Sequence, residues 1–261
     1  MIKQFPSLSV IMPCLNEADN IAAAIQETLN TIDKMGIDAE IIVINDGSRD
    51  ATAEIVKQLQ AKEQRIKLLN HSKPQGVGAS FWEGVQNAKN DFVTMIPGDN
   101  ENDPEDVLKY YYLAKDIDII IPFIMNIEIR SKIRRIISAV YRFIINISFG
   151  MSLNYTNGTV IYNRQILLDI NLDTTGFLYQ AELLIKLIRR GYFYAETPHL
   201  LSTRGSGKTK ALTFSSLFNV IGSYLKLVWF VHISHRTWHV GEQLDKKSIS
   251  YQRYQDNSPH K

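Results

Sequence analysis

Four short apolar runs, each closed by a turn residue, constrain this chain more than any other feature. LSVIMPCL, AEIIVINDGS, RIKLLNH and DFVTMIP lie between Leu8 and Pro97. They are rich in β-branched and aliphatic residues, and their length fits buried strands. The segments between them have helical period. NEADNIAAAIQETLNTIDKM spaces Ile21, Ala24, Ile25, Leu29 and Ile32 along one face, RDATAEIVKQLQAK turns Ile55, Val56 and Leu59 inward, and GVGASFWEGVQNAK is a helix opened by glycine. Strands that alternate with helices need right-handed crossovers and give a mostly parallel sheet covered on both faces, an α/β fold. Ligands of such sheets sit beyond the carboxyl ends of the strands. Three loops fall at that edge: Pro13–Glu17, Asn45–Ser48 and Pro97–Asp103.

The second half continues with a strand in DIDIIIPF, a strand then a helix in GTVIYNRQILLDI, a helix in YQAELLIKLIRRGY ended by Gly191, and a strand in FYAETPHLLST. The 261 residues suffice for one large α/β domain or two small ones, and 45% hydrophobic residues with 21% charged supply a core. A net charge of +2 argues against a dedicated nucleic-acid binder. The single cysteine, Cys14, forms no internal disulfide, which points to a reducing compartment. MIKQFPSLSVIMP lacks the apolar core and cleavage site of a signal peptide. Leu212–Ile233 is long enough to span a bilayer, but Asn219, Lys226, His232 and several serines interrupt it, so it reads as one or two amphipathic helices. The polar stretch from 244 to 261 reads as a disordered tail.

Five carboxylates crowd the segment from Asp99 to Asp106, just past a buried strand. Asp103-Pro104-Glu105-Asp106 fits a helix start, with an N-cap, a proline at the first position and acids in the first turn. Asp99 and Glu101 precede that helix, and alternation would turn both the same way. Two carboxylates on one side of a loop suit a hard divalent cation that also holds phosphates. In PCLNEADN, Asn16 or Asp19 would cap the next helix, and Glu17 would either do structural work or accept from a ribose hydroxyl. In NDGS, Gly47 takes a positive φ, and Asp46 is either part of the turn or an acceptor for a nucleobase edge.

RGSGKTK at 204–210 looks like a phosphate-binding P-loop, but Ser202 stands where that motif needs glycine, and no early strand leads into it. Arg204, Lys208 and Lys210 beside glycines still make an anion-binding loop. Arg130, Lys132, Arg134, Arg135 and Arg142 accompany Ile133, Ile136, Ile137, Val140 and Ile144. That is either a core helix with a solvated face or a helix lying in a membrane interface.

Taken in order, SVIMPCLNE, IIVINDGSRDAT, KPQGVGASFWEGVQNAKNDFVTMIPGDNENDPEDV, NGTVIYNRQIL, GFLYQAELLIKLIRRGY and RGSGKTKAL resemble the family 2 glycosyltransferases. The likeness is strongest to the dolichol-phosphate mannosyltransferase and polyprenyl-phosphate glycosyltransferase group, and it covers roughly Leu8 to Leu212. It implies a GT-A type fold over 1–211, with a nucleotide-sugar half (1–125) and an acceptor half (126–211), followed by amphipathic helices at 212–243.

The resemblance also implies roles. Pro13, Leu15, Glu17, Asp46, Gly98 and Asp99 would hold the donor, a UDP- or GDP-sugar. Asp99 and Glu101 would hold Mg²⁺ or Mn²⁺. Arg134, Arg135, Ser138, Arg204, Thr209 and Lys210 would hold acceptor and phosphates, and Asp99, Glu182 and Arg204 would serve catalysis. The chain departs from the family's pattern at six points: Leu15 replaces a common aromatic, Asn45 the first Asp of DDGS, Pro97 the first Asp of Asp-x-Asp, Glu101 a frequent neutral Gln, Phe123–Ile124 an Arg-Tyr pair, and Lys208 a frequent Glu. The implied reaction moves a sugar, with inversion, to a polyprenyl phosphate at the cytoplasmic face of a membrane, by a peripherally attached enzyme. A glycan or other hydroxyl acceptor, with Glu182 as base, is the alternative; a non-catalytic nucleotide-sugar-binding protein is a further one. The sequence leaves the oligomeric state open.

Overall fold

The computed structural model describes residues 5–174, 176, 178–200, 214–234 and 244–256, with the backbone alone at 214–220 and 234. The chain runs β1 (Leu8–Cys14), α1 (Ile21–Met35), β2 (Ala39–Asn45), α2 (Thr52–Gln60), β3 (Ile66–Asn70), α3 (Val77–Asn87), β4 (Phe92–Met95) and α4 (Pro104–Leu108). It continues with β5 (Ile119–Ile124), α5 (Lys132–Phe149), β6 (Ile161–Asn163), α6 (Arg164–Leu168), α7 (Tyr179–Arg190), β7 (Tyr194–His199), α8 (Phe214–Trp229) and α9 (Ile249–Asp256).

The strands form one seven-stranded sheet in the order β3-β2-β1-β4-β6-β5-β7. β1 pairs in parallel with β2 and β4, and β2 with β3. β6 runs antiparallel to both β4 and β5, while β5 and β7 are parallel. The sheet is therefore mixed, and it passes without a break from the first half of the chain into the second.

Alternation along the buried strands divides the core. Leu8, Val10, Met12, Ile41 and Val43 face α1, α2 and α4. Ile11, Ile42, Ile44 and Val93 face α3, α6 and α7. A third cluster joins Ile145 and Phe149 of α5, Ala181 and Ile185 of α7, and Leu227 and Val231 at the α8 end. Strands buried on both faces read as unbroken apolar runs, which is why they were legible.

Pro13 does not end β1. It pairs in register with Ile44, and the strand continues to Cys14. β4 pairs with β1 only as far as Ile11, so the missing N–H of Pro13 falls where β1 has no β4 partner to satisfy. The helix start at Asp103 is as expected: its side chain accepts the Glu105 amide at 3.0 Å, and Pro104 opens α4. The expected cap of α1 differs. Its N-cap is Asn20, whose side chain makes no capping bond to the helix backbone, while Asn16 adopts φ 56° in the loop before it.

The segment from 244 is not a disordered tail as far as residue 256. Buried Asp118 accepts the amides of Ile249 (3.1 Å) and Ser250 (2.8 Å) and the Ser250 hydroxyl, and Ser250 Oγ in turn accepts the Phe193 amide at 2.7 Å. These polar anchors seat α9 at the start of β5, and a reading based on hydropathy misses them. Residues 257–261 lie outside the described residues. The 212–233 stretch contains α8, followed by a π-helical turn over Phe230–Ser234. Among the described residues, no helix is long and apolar enough to cross a membrane.

Candidate active site

The loops after β1, β2, β3 and β4 meet at the carboxyl edge of the sheet, and short polar bonds weld them together. Asn16 donates its amide to Ser48 Oγ at 2.9 Å and accepts the Arg49 amide on Oδ1 at 2.8 Å. The Glu17 amide donates to Thr52 Oγ1 at 2.9 Å, and the Ala18 amide to Asp50 Oδ2 at 3.1 Å. The Thr52 hydroxyl, then the amides of Thr52 and Ala18, hold the Asp50 carboxyl below its usual range against slight desolvation. Asn16 and Asp50 therefore build the loop. No periodicity marks them; an Asx-turn pattern was the only sequence signal.

Within this frame Pro13 and Leu15 are half-buried, and the half-buried Glu17 accepts from Asn20 Nδ2 at 2.9 Å on Oε2. Gly47 has the expected positive φ, +76°, and a Cβ there would lie 2.8 Å from the Lys73 carbonyl carbon, so the β2 turn packs directly on the loop after β3. Asn45, in place of an acid, bridges the two: it donates to Asn70 Oδ1 at 2.9 Å and accepts the Ser48 amide at 3.2 Å.

Asp46 is buried, 6% exposed. Its Oδ1 accepts the Gln75 amide at 2.7 Å and lies 2.6 Å from His71 Nδ1, and its Oδ2 accepts the Gly76 amide at 3.0 Å. Burial pushes its carboxyl up, but the bonds from His71, Gln75 and Gly76 outweigh that and hold it below its ordinary value. A carboxylate has about four acceptor positions, so one remains on Oδ2.

Asp99 and Glu101 are brought together by a turn, not by strand alternation. β4 ends at Met95, Asn100 takes φ 57°, and the Glu101 amide donates to Asp99 Oδ1 at 3.1 Å. Gly98 is buried, and its amide donates to the Pro13 carbonyl at 3.0 Å. Desolvation by the surrounding loop raises the Glu101 carboxyl; the charge of Asp99 and, more weakly, that of Glu17 raise it further, while Arg134 opposes them. The Glu17 loop, the Asp99 loop and Arg134 of α5 thus share one electrostatic neighbourhood. A cation between the carboxylates would relieve this crowding. Among the described residues, no group of three or more His, Cys, Asp or Glu forms a metal cluster. The donor set fits a hard cation with two protein carboxylates and the rest of its oxygen shell from phosphates and water.

The residues expected on the acceptor side are partly in view. Arg134 and Arg135 are exposed on the first turn of α5, which Ser131 caps. Ser138 lines a cleft with Arg130, Arg142, Tyr155 and Asn157, and Arg130 stacks over the Tyr155 ring at 5.6 Å. Glu182 is 1% exposed: its Oε1 accepts Lys186 Nζ at 2.5 Å and the Asp173 amide at 2.9 Å. Arg204, Thr209 and Lys210 lie outside the described residues. Sequence reasoning missed His71, whose side chain is buried between Asp46 and Glu83.

A mixed sheet of this order with acidic loops at its carboxyl edge is the GT-A type of glycosyltransferase fold. Mannosyl-3-phosphoglycerate synthase from Rubrobacter xylanophilus superposes with a TM-score of 0.69 at 14% identity, covering 94% of this chain and 79% of that one. Glucosyl-3-phosphoglycerate synthase from Mycobacterium tuberculosis, in complex with Mn²⁺, uridine-diphosphate and phosphoglyceric acid, does so with a TM-score of 0.62 at 19% identity, covering 85% and 78%. Residues 9–173 match the glycosyl transferase family 2 model, and the chain belongs to that family. It is similar to the undecaprenyl-phosphate 4-deoxy-4-formamido-L-arabinose transferase of Edwardsiella ictaluri, 29% identical over 106 residues, 40% of this chain and 33% of that protein. It is also similar to the dolichyl-phosphate beta-glucosyltransferase ALG5C of Trichomonas vaginalis, 34% identical over 94 residues, 34% of this chain and 28% of that protein. The matches thus span about a third of the length of these curated relatives.

Proposed function

We propose that this family 2 glycosyltransferase moves a sugar, with inversion, from a UDP- or GDP-sugar to a polyprenyl phosphate at the cytoplasmic face of a membrane. The observation that carries the reading is the shared neighbourhood of Glu17, Asp99, Glu101 and Arg134. It sets carboxylates suited to a metal-bound diphosphate beside a cation suited to a second phosphate. The relatives named for undecaprenyl-phosphate and dolichyl-phosphate transfer support the acceptor class.

Pro13, Leu15, Glu17, Asp46 and Gly98 line the donor's base and ribose in this reading. Asp99 and Glu101 hold Mg²⁺ or Mn²⁺, which when bound neutralises charge on the departing diphosphate. Arg134, Arg135 and Ser138 receive the acceptor phosphate, with Arg204, Thr209 and Lys210 assigned to the phosphates from sequence. A phosphate oxygen attacks the anomeric carbon as the bond to the diphosphate breaks on the opposite face. That oxygen is already anionic near neutral pH, so the step needs no protein base. Glu182, bound to Lys186 and buried, is then a structural acid. A hydroxyl acceptor is the second reading, because Glu182 Oε2 has no hydrogen-bond partner among the described residues and would be the base.

α5 supports membrane attachment. Ile133 (72%), Ile136 (64%), Phe143 (64%) and Ile147 (68%) stand exposed on it, and Leu225 and Trp229 of α8 are exposed too. Lys132, Arg134, Arg135 and Arg142 lie on the same helix, the pairing of apolar face and cations that seats a helix against anionic lipid.

The test is a transfer screen of the full chain with UDP- and GDP-sugars, Mg²⁺ or Mn²⁺, and a short polyprenyl phosphate. Metal-dependent transfer to the lipid is expected, and it is lost in Asp99→Asn. Metal-dependent nucleotide binding with transfer only to a hydroxyl acceptor would replace the acceptor assignment. Binding without any transfer would favour a non-catalytic binding protein.

A further inference from the structure

His71 follows β3 and is tied to the donor-side loops by its backbone, its amide donating to the Asn45 carbonyl at 2.9 Å. Its side chain is 5% exposed and lies between two acids. Nδ1 is 2.6 Å from Asp46 Oδ1, and Nε2 meets Glu83 Oε2 of α3. A neutral imidazole has one N–H and one lone pair, so in either tautomer it would turn a lone pair toward one of these carboxylates. Only the imidazolium donates to both.

We infer that His71 is a positioning residue for the nucleotide: as an imidazolium clamped between Asp46 and Glu83 it orients the Asp46 carboxylate and the Gln75–Gly76 turn, and thereby makes donor binding depend on pH. The inference rests on the reading of Asp46 as a donor-side residue. Burial opposes the charge on His71, but the bonds to Asp46 and Glu83 and their charges outweigh it, and its proton is held above the usual histidine range. Among the described residues, those two carboxylates are the charged groups that act on the ring.

The two partners are unequal, and this sets what happens when the proton leaves. The Asp46 side chain is 9% exposed and is fixed by two further amide bonds, whereas the Glu83 side chain is 36% exposed and can turn to water. On deprotonation the ring keeps its hydrogen toward Asp46 and loses Glu83. A charge-assisted bond to Asp46 becomes a weaker neutral one, and the ring loses its second anchor. The edge that must accept a diphosphate, already bearing Glu17, Asp50, Asp99 and Glu101, also gains one net negative charge. Both effects have the same sign. The contribution of His71 to affinity is constant below its raised pKa and is lost as pH rises through it.

The experiment joins two measurements on the full chain: the ring ¹⁵N signals of His71 by NMR, and calorimetric binding of UDP and GDP with Mn²⁺, each followed from mildly acidic to mildly alkaline pH. The expected result is an imidazolium at neutral pH and an affinity that drops roughly tenfold across its titration, the scale of one charge-assisted bond. Glu83→Gln removes one carboxylate from an accessible side chain, so both the titration and the break in affinity should move to lower pH together. A neutral His71 ring at neutral pH overturns the inference. So does a break in affinity that stays in place while the Glu83→Gln titration moves. If neither nucleotide binds the wild-type chain at any pH, the donor reading fails and this role with it; the ring signals, which need no nucleotide, tell that outcome from the others.

Discussion

The Gly98 amide donates to the Pro13 carbonyl at 3.0 Å, and this one bond locks the acidic loop after β4 to the end of β1. The bond before it is the Ile96 amide to the Ile11 carbonyl at 3.0 Å, so without the Gly98 bond the chain carrying Asp99 and Glu101 would leave the sheet edge two residues earlier. The close approach leaves little room for a side chain at 98. A Cβ on Gly98 would lie 2.5 Å from Ile21 Cδ1 and 3.1 Å from Cys14 Cβ.

Gly98→Ala should therefore both destabilise the fold and move the acidic loop. Ile21 is fully buried, so a methyl at 98 must displace either the end of the Ile21 side chain or the loop itself. Overpacking of this kind costs about 1–3 kcal/mol. Urea unfolding should show that loss, and metal-dependent nucleotide affinity should fall beyond what the fraction unfolded explains. Unchanged affinity in the folded fraction would mean that the Gly98–Pro13 bond does not position the carboxylates.

Cys14 offers a probe of the same corner. Burial first, then the charges of Glu17, Asp50 and Asp46, push its thiol up to about 12. The reactive form is the thiolate, so the native protein should resist iodoacetamide at neutral pH. Alkylation followed by mass spectrometry should proceed at a rate set by opening of the β1 edge, and should accelerate in Gly98→Ala. Rapid labelling of the native chain would show that this edge opens freely.

The sequence made the first four strands legible because each is buried on both faces and reads as an apolar run. The Asp103 cap, the positive φ of Gly47 and the end of α7 at Gly191 were legible for local reasons, since turn and cap chemistry is written within four residues. The antiparallel insertion of β6 was not, because strand direction depends on pairing across about 70 residues of chain. The docking of α9 was missed because Asp118, Ser248 and Ser250 hold it by hydrogen bonds that no hydropathy pattern records. At the site, Asp99 and Glu101 do share a loop corner, but not by strand alternation: a left-handed Asn100 brings them together. His71 was invisible because its meaning depends on two acids, 25 residues before it and 12 after it.

The buried pair of Glu182 and Lys186 should be worth more to folding than to turnover. Lys186 Nζ donates to Glu182 Oε1 at 2.5 Å, to the Asn171 carbonyl at 2.7 Å and to Asp173 Oδ2 at 2.9 Å. Lys186→Met leaves the Glu182 carboxylate buried without its cation, a loss of about 3–5 kcal/mol for breaking such a pair. Glu182→Gln in the same background should restore part of it, because a neutral amide costs less to bury. A double-mutant cycle in urea reads the coupling. With a phosphate acceptor, Glu182→Gln alone should keep kcat within a few-fold; a collapse of kcat in a folded protein would assign Glu182 as base and make the acceptor a hydroxyl.

The exposed face of α5 leads to a prediction in which stability and membrane binding separate. Only Ile145 and Phe149 of this helix are buried, so its remaining apolar residues contribute little to the core. Ile136→Asp and Phe143→Asp should therefore leave the unfolding midpoint almost unchanged, as surface substitutions usually do. They should nevertheless abolish co-sedimentation with vesicles containing anionic lipid, because each puts a charge where the helix would enter the acyl boundary. Arg135→Ser should weaken the same binding several-fold, and added salt should mimic it, since attraction to an anionic surface decays over a Debye length of about 8–10 Å. If the aspartate variants sediment like the wild type, α5 does not face lipid. If they unfold instead, the face is covered by protein, and a shift of the wild-type chain to a dimer in sedimentation velocity would identify that cover.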